Sequence, residues 1–94
     1  MTTLNNTVSD ERKARTRNLF EVATNRINDE TGATVALSSW EVDGEEEHAI
    51  NGADASGDEV YIPHLTSNYD IDSAVLGIKK HEKTRAWFAS RRKA

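Results

Sequence analysis

Three histidines, His48, His64 and His81, and a run of alternating oxygen ligands, Asp54, Ser56 and Asp58, are the side chains of this 94-residue sequence whose types could do acid–base or metal chemistry. A catalytic histidine needs a positioned partner, and these three fall on three different predicted elements with no ligand spacing between them. His81–Glu82 is followed by Lys83, Thr84 and Arg85, so the second histidine of the HExxH zinc pattern is missing. Counted from Asp54, glycine stands at the fourth place instead of the sixth. Leu65 occupies the twelfth, where an EF-hand needs a bidentate glutamate. The segment therefore reads as a polar hairpin connection. Without cysteine there is neither a thiolate zinc site nor a cysteine nucleophile, and no P-loop, GxGxxG or GxSxG string occurs. The sequence gives no reason to expect a catalytic residue, a metal or a cofactor, and the chain is expected to be a non-enzyme.

Charge is the less ordinary feature. Residues 1–40 hold five bases and five acids, residues 41–72 hold ten acids and no Lys or Arg, and residues 73–94 hold seven bases against Glu82. Such segregation bears on association and steering. The acidic middle offers a candidate surface for a basic protein groove, through Glu45, Glu46, Glu47, Asp54, Asp58 and Glu59, with Tyr61 or Tyr69 as a desolvated aromatic anchor. The basic end offers the opposite candidate. There Lys79, Lys80, Arg85, Arg91, Arg92 and Lys93 could meet phosphates while Trp87 and Phe88 stack on bases. Against the second stands the scarcity of large apolar side chains, which makes Trp40, Trp87, Phe20, Phe88, Tyr61 and Tyr69 the expected anchors of a thin core. The basic end could also fold back over the acidic middle and cancel it.

The elements that must position these residues follow from pattern. Ser9 caps a predicted amphipathic helix over about 9–30, with Leu19, Phe20, Val22, Ala23 and Ile27 on one flank and Gly32 as its terminator. Residues 1–6 are expected to be frayed. Residues 34–42 alternate as a strand, but Val35 and Leu37 are out of phase with Trp40 and Val42, so bringing all four inward requires a bulge near Ser38 and Ser39. Asp43–Gly44 is a turn, residues 48–50 a short second strand, 51–58 a loop, and 59–62 a third strand closed by Pro63. A second helix begins near Ile71, capped by Ser67 or Asp70, with Ile71, Ala74, Val75 and Ile78 buried. Residues 81–94 fit a continued helix by length and a last strand by aromatic content. The expectation is one α+β domain over residues 1–94, a small antiparallel sheet of about three strands packed against an N-terminal and a C-terminal helix. No stretch approaches a membrane span and the first residues lack the apolar run of a secretory signal, which points to the cytoplasm. Exposed strand edges make a homodimer a further expectation.

Over residues 61–78, the string Tyr61-Ile-Pro-His-Leu-Thr66 followed by Asp70-Ile-Asp-Ser-Ala74 resembles small bacteriophage proteins of the ABA-sandwich type. Pro63 matches their strand end, Thr66 and Asp70 the helix start, and Ala74 the packing position. The resemblance implies a phage accessory protein made in a bacterial host cytoplasm, of the class that includes anti-CRISPR and anti-restriction inhibitors. With the acidic middle, it leads to the expectation of an inhibitor that occludes a basic surface of a host nucleic-acid-handling complex. The alternative is a small nucleic-acid-binding protein that uses the basic C-terminal segment.

Overall fold

Helix α1 spans Thr2–Glu30, beginning ahead of the expected Ser9 cap. Nothing between Thr2 and Ser9 breaks a helix, since that stretch has neither glycine nor proline. The computed structural model describes the backbone of residues 2–92 and the side chains of residues 10–91. Gly32 does not end α1 by a left-handed turn; the end is made by Thr31, whose Oγ1 donates to the Ile27 carbonyl at 2.6 Å and accepts from the Ala33 amide at 3.0 Å. Gly32 serves instead for close approach, because a Cβ there would lie 2.7 Å from that of Ala55.

Strands β1 (Thr34–Val42), β2 (Glu45–Ala53) and β3 (Glu59–Ile62) form one antiparallel sheet in that order. Asp43 and Gly44 both have positive φ, 51° and 80°, as a two-residue type I′ hairpin turn requires. Pairing is continuous from Thr34↔Ala53 to Val42↔Glu45, so the expected bulge is not formed and Trp40 and Val42 face away from Val35 and Leu37. β2 also runs on through Asn51, Gly52 and Ala53, residues expected in a loop. The shorter loop 54–58 is held by Asp54, whose Oδ1 accepts the amides of Ser56 (2.9 Å) and Asp58 (3.0 Å).

Helix α2 covers Asn68–Arg92, which resolves residues 81–92 as helix. Its start is a reciprocal cap. Ser67 Oγ accepts the Asp70 amide at 3.3 Å, and Asp70 reaches back to the Thr66 amide at 2.7 Å and its hydroxyl at 2.6 Å. Both helices lie on the same face of the sheet and run in the same direction: Arg26 on α1 bonds Asp72, and the Gly32 amide just past α1 donates to Glu82 at 3.1 Å. The result is two layers with one sheet face uncovered.

Phe20, Ala23 and Ile27 of α1, Val35, Ile50 and Val60 of the sheet, Leu65, and Ile71 and Val75 of α2 form the core. Ile27, Ile50 and Ile71 are fully buried and contribute about 1.5–3 kcal/mol each. Of the six aromatic residues expected as anchors, Phe20 alone is buried. Trp40 and Tyr61 are exposed because a two-layer fold buries one sheet face, and Trp87 and Phe88 because α2 runs on past the sheet. The molecule extends 69 Å along its long axis, roughly twice the ~30 Å of a nine-residue strand. From Lys83 to Arg91 every side chain is exposed.

Candidate functional site

The uncovered face of the sheet follows from the period of two along each strand. It carries Thr34, Ala36, Ser38, Trp40 and Val42 from β1, Glu45, Glu47, Ala49, Asn51 and Ala53 from β2, and Glu59 and Tyr61 from β3. Trp40 pairs with Glu47 and Tyr61 with Asn51, so both aromatics are diagonal neighbours of Ala49. Ala49 is buried although it lies on this face, and forms the floor of an oblique apolar stripe across three strands. Trp40 is 45 % exposed and Tyr61 54 %. Glu45 and Glu47 flank the stripe at the hairpin end, Glu59 at the other, and the face carries no Lys or Arg. Trp40 and Val42 were not expected here. The signal was present in the phase break of β1, which an unbroken strand turns outward.

The remaining predicted residues are dispersed. Glu46 points to the helix side, where its carboxylate takes a bidentate contact from Arg17 (2.7 and 2.9 Å from Nη2 to its two oxygens) and lies 3.1 Å from Nε2 of buried His48. Nδ1 of His48 is 2.7 Å from the Ser39 hydroxyl, and its ring stacks at 5.3 Å on Phe20. This histidine is satisfied within the core. Asp54 and Asp58 sit on the loop at the far end of β2, about 20–25 Å along the strand from Glu46. There His81 Nε2 approaches Asp58 Oδ2 at 2.7 Å and Asp54 Oδ2 at 3.5 Å, and Arg85 Nε lies 3.1 Å from the same Asp58 oxygen. The two aspartates and His81 have the geometry of three ligands for a cation, but the Arg85 guanidinium already supplies positive charge to Asp58. Glu82 accepts the amides of Gly32 and Ala55, the latter at 2.8 Å, and so ties the two connections to α2. Tyr69 is exposed on the first turn of α2, away from the sheet's open face.

Cancellation of charge within the molecule is therefore partial. Arg17, Arg26 and Arg85 neutralise Glu46, Glu30, Asp72 and Asp58, and the His81 ring lies against Asp54 and Asp58, whereas Glu41, Asp43, Glu45, Glu47 and Glu59 make no ion pair among the described residues. Lys79, Lys80, Lys83 and Arg91 on α2 make none either, again among the described residues. The Arg92 side chain and Lys93 lie outside the described residues. Trp87 and Phe88 are packed edge to face at 5.0 Å, half exposed, with the Arg91 guanidinium 4.6 Å above the Trp87 ring.

Four carboxylates are held below their ordinary range: Glu46 by hydrogen bonding from Arg17, Glu30 by Arg26, Asp58 by His81 and then Arg85, and Asp70 by the hydroxyl and amide of Thr66. A carboxylate with a lowered folded-state pKa contributes stability above its unfolded pKa, and that contribution disappears as pH falls through the folded value. The melting temperature is thus expected to fall steadily as pH is lowered below about 4–5. Thermal melts should show a smaller acid loss for Asp70→Asn, which starts from a lower plateau.

Comparison with protein families, with characterised proteins and with solved structures gives no match. Among the described residues no helix is long and apolar enough to cross a membrane. The fold class is α+β, two helices on one face of a three-stranded antiparallel sheet.

Proposed function

We propose that this protein acts by stoichiometric binding, pressing the open face of its sheet against a basic surface of a protein complex that handles nucleic acid, and so blocking it. The observation that carries the reading is the coexistence on that face of half-exposed Trp40 and Tyr61 with Glu45, Glu47 and Glu59, on strands that hold no Lys or Arg. Aromatic anchors surrounded by charge of one sign give residence time and steering together. Carboxylates on such a face compete with phosphates for the same lysines and arginines. The role we assign is that of a phage-encoded inhibitor of a host-defence complex of the CRISPR-Cas or restriction kind; it rests on this face and not on the resemblance at residues 61–78, whose three-layered sandwich this two-layered fold does not share. Catalysis has no part in this mechanism.

A second reading is favoured by one observation, the exposure of Trp87 and Phe88 on the part of α2 that outruns the sheet. Lys79, Lys80, Lys83 and Arg91 beside them would neutralise phosphates while a ring stacks on a base. Pull-down from bacterial lysate, with and without nuclease, separates the two readings. Retention of a protein partner after nuclease digestion is the expected result; loss of the bound material on digestion would assign function to α2 instead.

A further inference from the structure

The two edges of the sheet are finished differently. β3 is four residues long, carries Glu59, is followed by Pro63 and shares a groove with Ala74, Gly77 and Ile78 of α2. Short length, charge, proline and cover are the devices by which sheets protect an edge. β1 has few of them. It is nine residues long, without bulge, proline or lysine, and Glu41 is its one charged residue.

Its outer edge is filled at one point. Asn28 of α1 donates through Nδ2 to the Val35 carbonyl (3.0 Å) and accepts the Val35 amide on Oδ1 (2.8 Å), as a neighbouring strand would. Val35 therefore points its backbone groups away from β2, and the alternation of an antiparallel ladder sends those of Leu37, Ser39 and Glu41 to the same side. Among the described residues no hydrogen bond outside the sheet takes them.

We infer that β1 pairs antiparallel with β1 of a second copy about a two-fold axis at Ser39, joining two sheets into one of six strands. This goes beyond the binding role proposed above and does not depend on it. Centred at Ser39, the ladder sets Leu37 opposite the second copy's Glu41 and uses all three free residues of each strand. Centring at Ser38 instead would engage Val35, whose edge Asn28 already occupies. On the open face the same register sets Trp40 opposite the second copy's Ser38 and Val42 opposite its Ala36, large against small at every step. Charge does not oppose the contact. The two Glu41 side chains are offset by four residues, about 14 Å, and the two glutamate-bearing β2 strands are separated by three strand spacings, again about 14 Å, against a screening length of about 8 Å at physiological salt. A self-complementary edge is what an isologous dimer requires.

Sedimentation velocity across the micromolar range should show a monomer–dimer equilibrium. Glu41→Pro removes an edge-facing amide while leaving the ladder to β2 intact. It deletes two symmetry-related hydrogen bonds and should weaken the dimer about 10- to 100-fold. Because the chain has no cysteine, single-cysteine variants give a second measurement. Ser39 residues paired across the axis would have Cα atoms about 5.5 Å apart, within disulfide reach. Oxidation should therefore link Ser39→Cys into a covalent dimer and leave Ser56→Cys, on the distal loop, monomeric. If Glu41→Pro does not fold, the cysteine pair decides alone. A chain that sediments as a monomer throughout overturns the inference, as does a dimer in which Ser39→Cys links no faster than Ser56→Cys.

Discussion

Gly52→Ala is expected to lower stability by about 2–3 kcal/mol, which for a domain of this size is a fall in melting temperature of roughly 10–20 °C. Gly52 stands on the central strand, paired with Val35 on one side and Val60 on the other, on the face that meets the core. A Cβ at this position would collide with the Thr34 carbonyl oxygen and lie 2.7 Å from Val35 Cα and 2.9 Å from the Thr34 carbonyl carbon. All three are backbone atoms of β1, so no rotamer change relieves the clash and the strand itself must move. That movement would loosen Val35 and the Asn28 contact to its edge, both of which fix β1 on α1. Gly77→Ala supplies the control of opposite sign. Nothing lies within 4 Å of a Cβ there and its φ is ordinary, so the methyl should raise stability by about 0.5–1 kcal/mol through the helix preference of alanine. Chemical denaturation of the two variants checks both, and a Gly52→Ala chain that melts with the parent would mean that β2 ends before residue 52.

The Gly52 position also marks where sequence reasoning stops. Asn51-Gly52-Ala53 has the composition of a turn, and only the approach of another strand makes glycine obligatory there. That approach is a tertiary fact invisible in a local window. Where local chemistry suffices, the elements were legible: Asp43–Gly44 requires its turn, Pro63 ends β3, and Ile71, Ala74, Val75 and Ile78 mark the buried stripe of α2. Bringing Trp40 and Val42 to the side of Val35 and Leu37 requires a bulge, and the expectation that large apolar residues belong in a core favours one. A sheet covered on one side has no such need. The same period of two divides Glu45 and Glu47 from Glu46, so the acidic run was readable as a run but its partition between faces depended on knowing which face the helices cover. Pairing of Asp58 with His81 and Arg85 joins residues more than twenty positions apart, and nothing in the spacing announced it.

Trp40→Ala is expected to weaken capture of the nuclease-resistant partner about 30-fold or more, the loss of at least ~2 kcal/mol typical of a central aromatic anchor. Trp40 makes its floor with Ala49 and is exposed, so the substitution should leave the fold's stability nearly unchanged while removing the apolar area that a partner would cover. The glutamates act differently. Glu45→Gln with Glu47→Gln should slow association and flatten its dependence on salt, because charge on the rim governs encounter more than residence. Glu46→Gln serves as the discriminating variant: its side chain faces the helices and pairs with Arg17, so capture should persist while acid stability shifts. Binding kinetics measured over a range of ionic strength read all three. If Trp40→Ala binds as the parent does and Trp87→Ala does not, the open sheet face is a bystander and the exposed end of α2 carries the interaction.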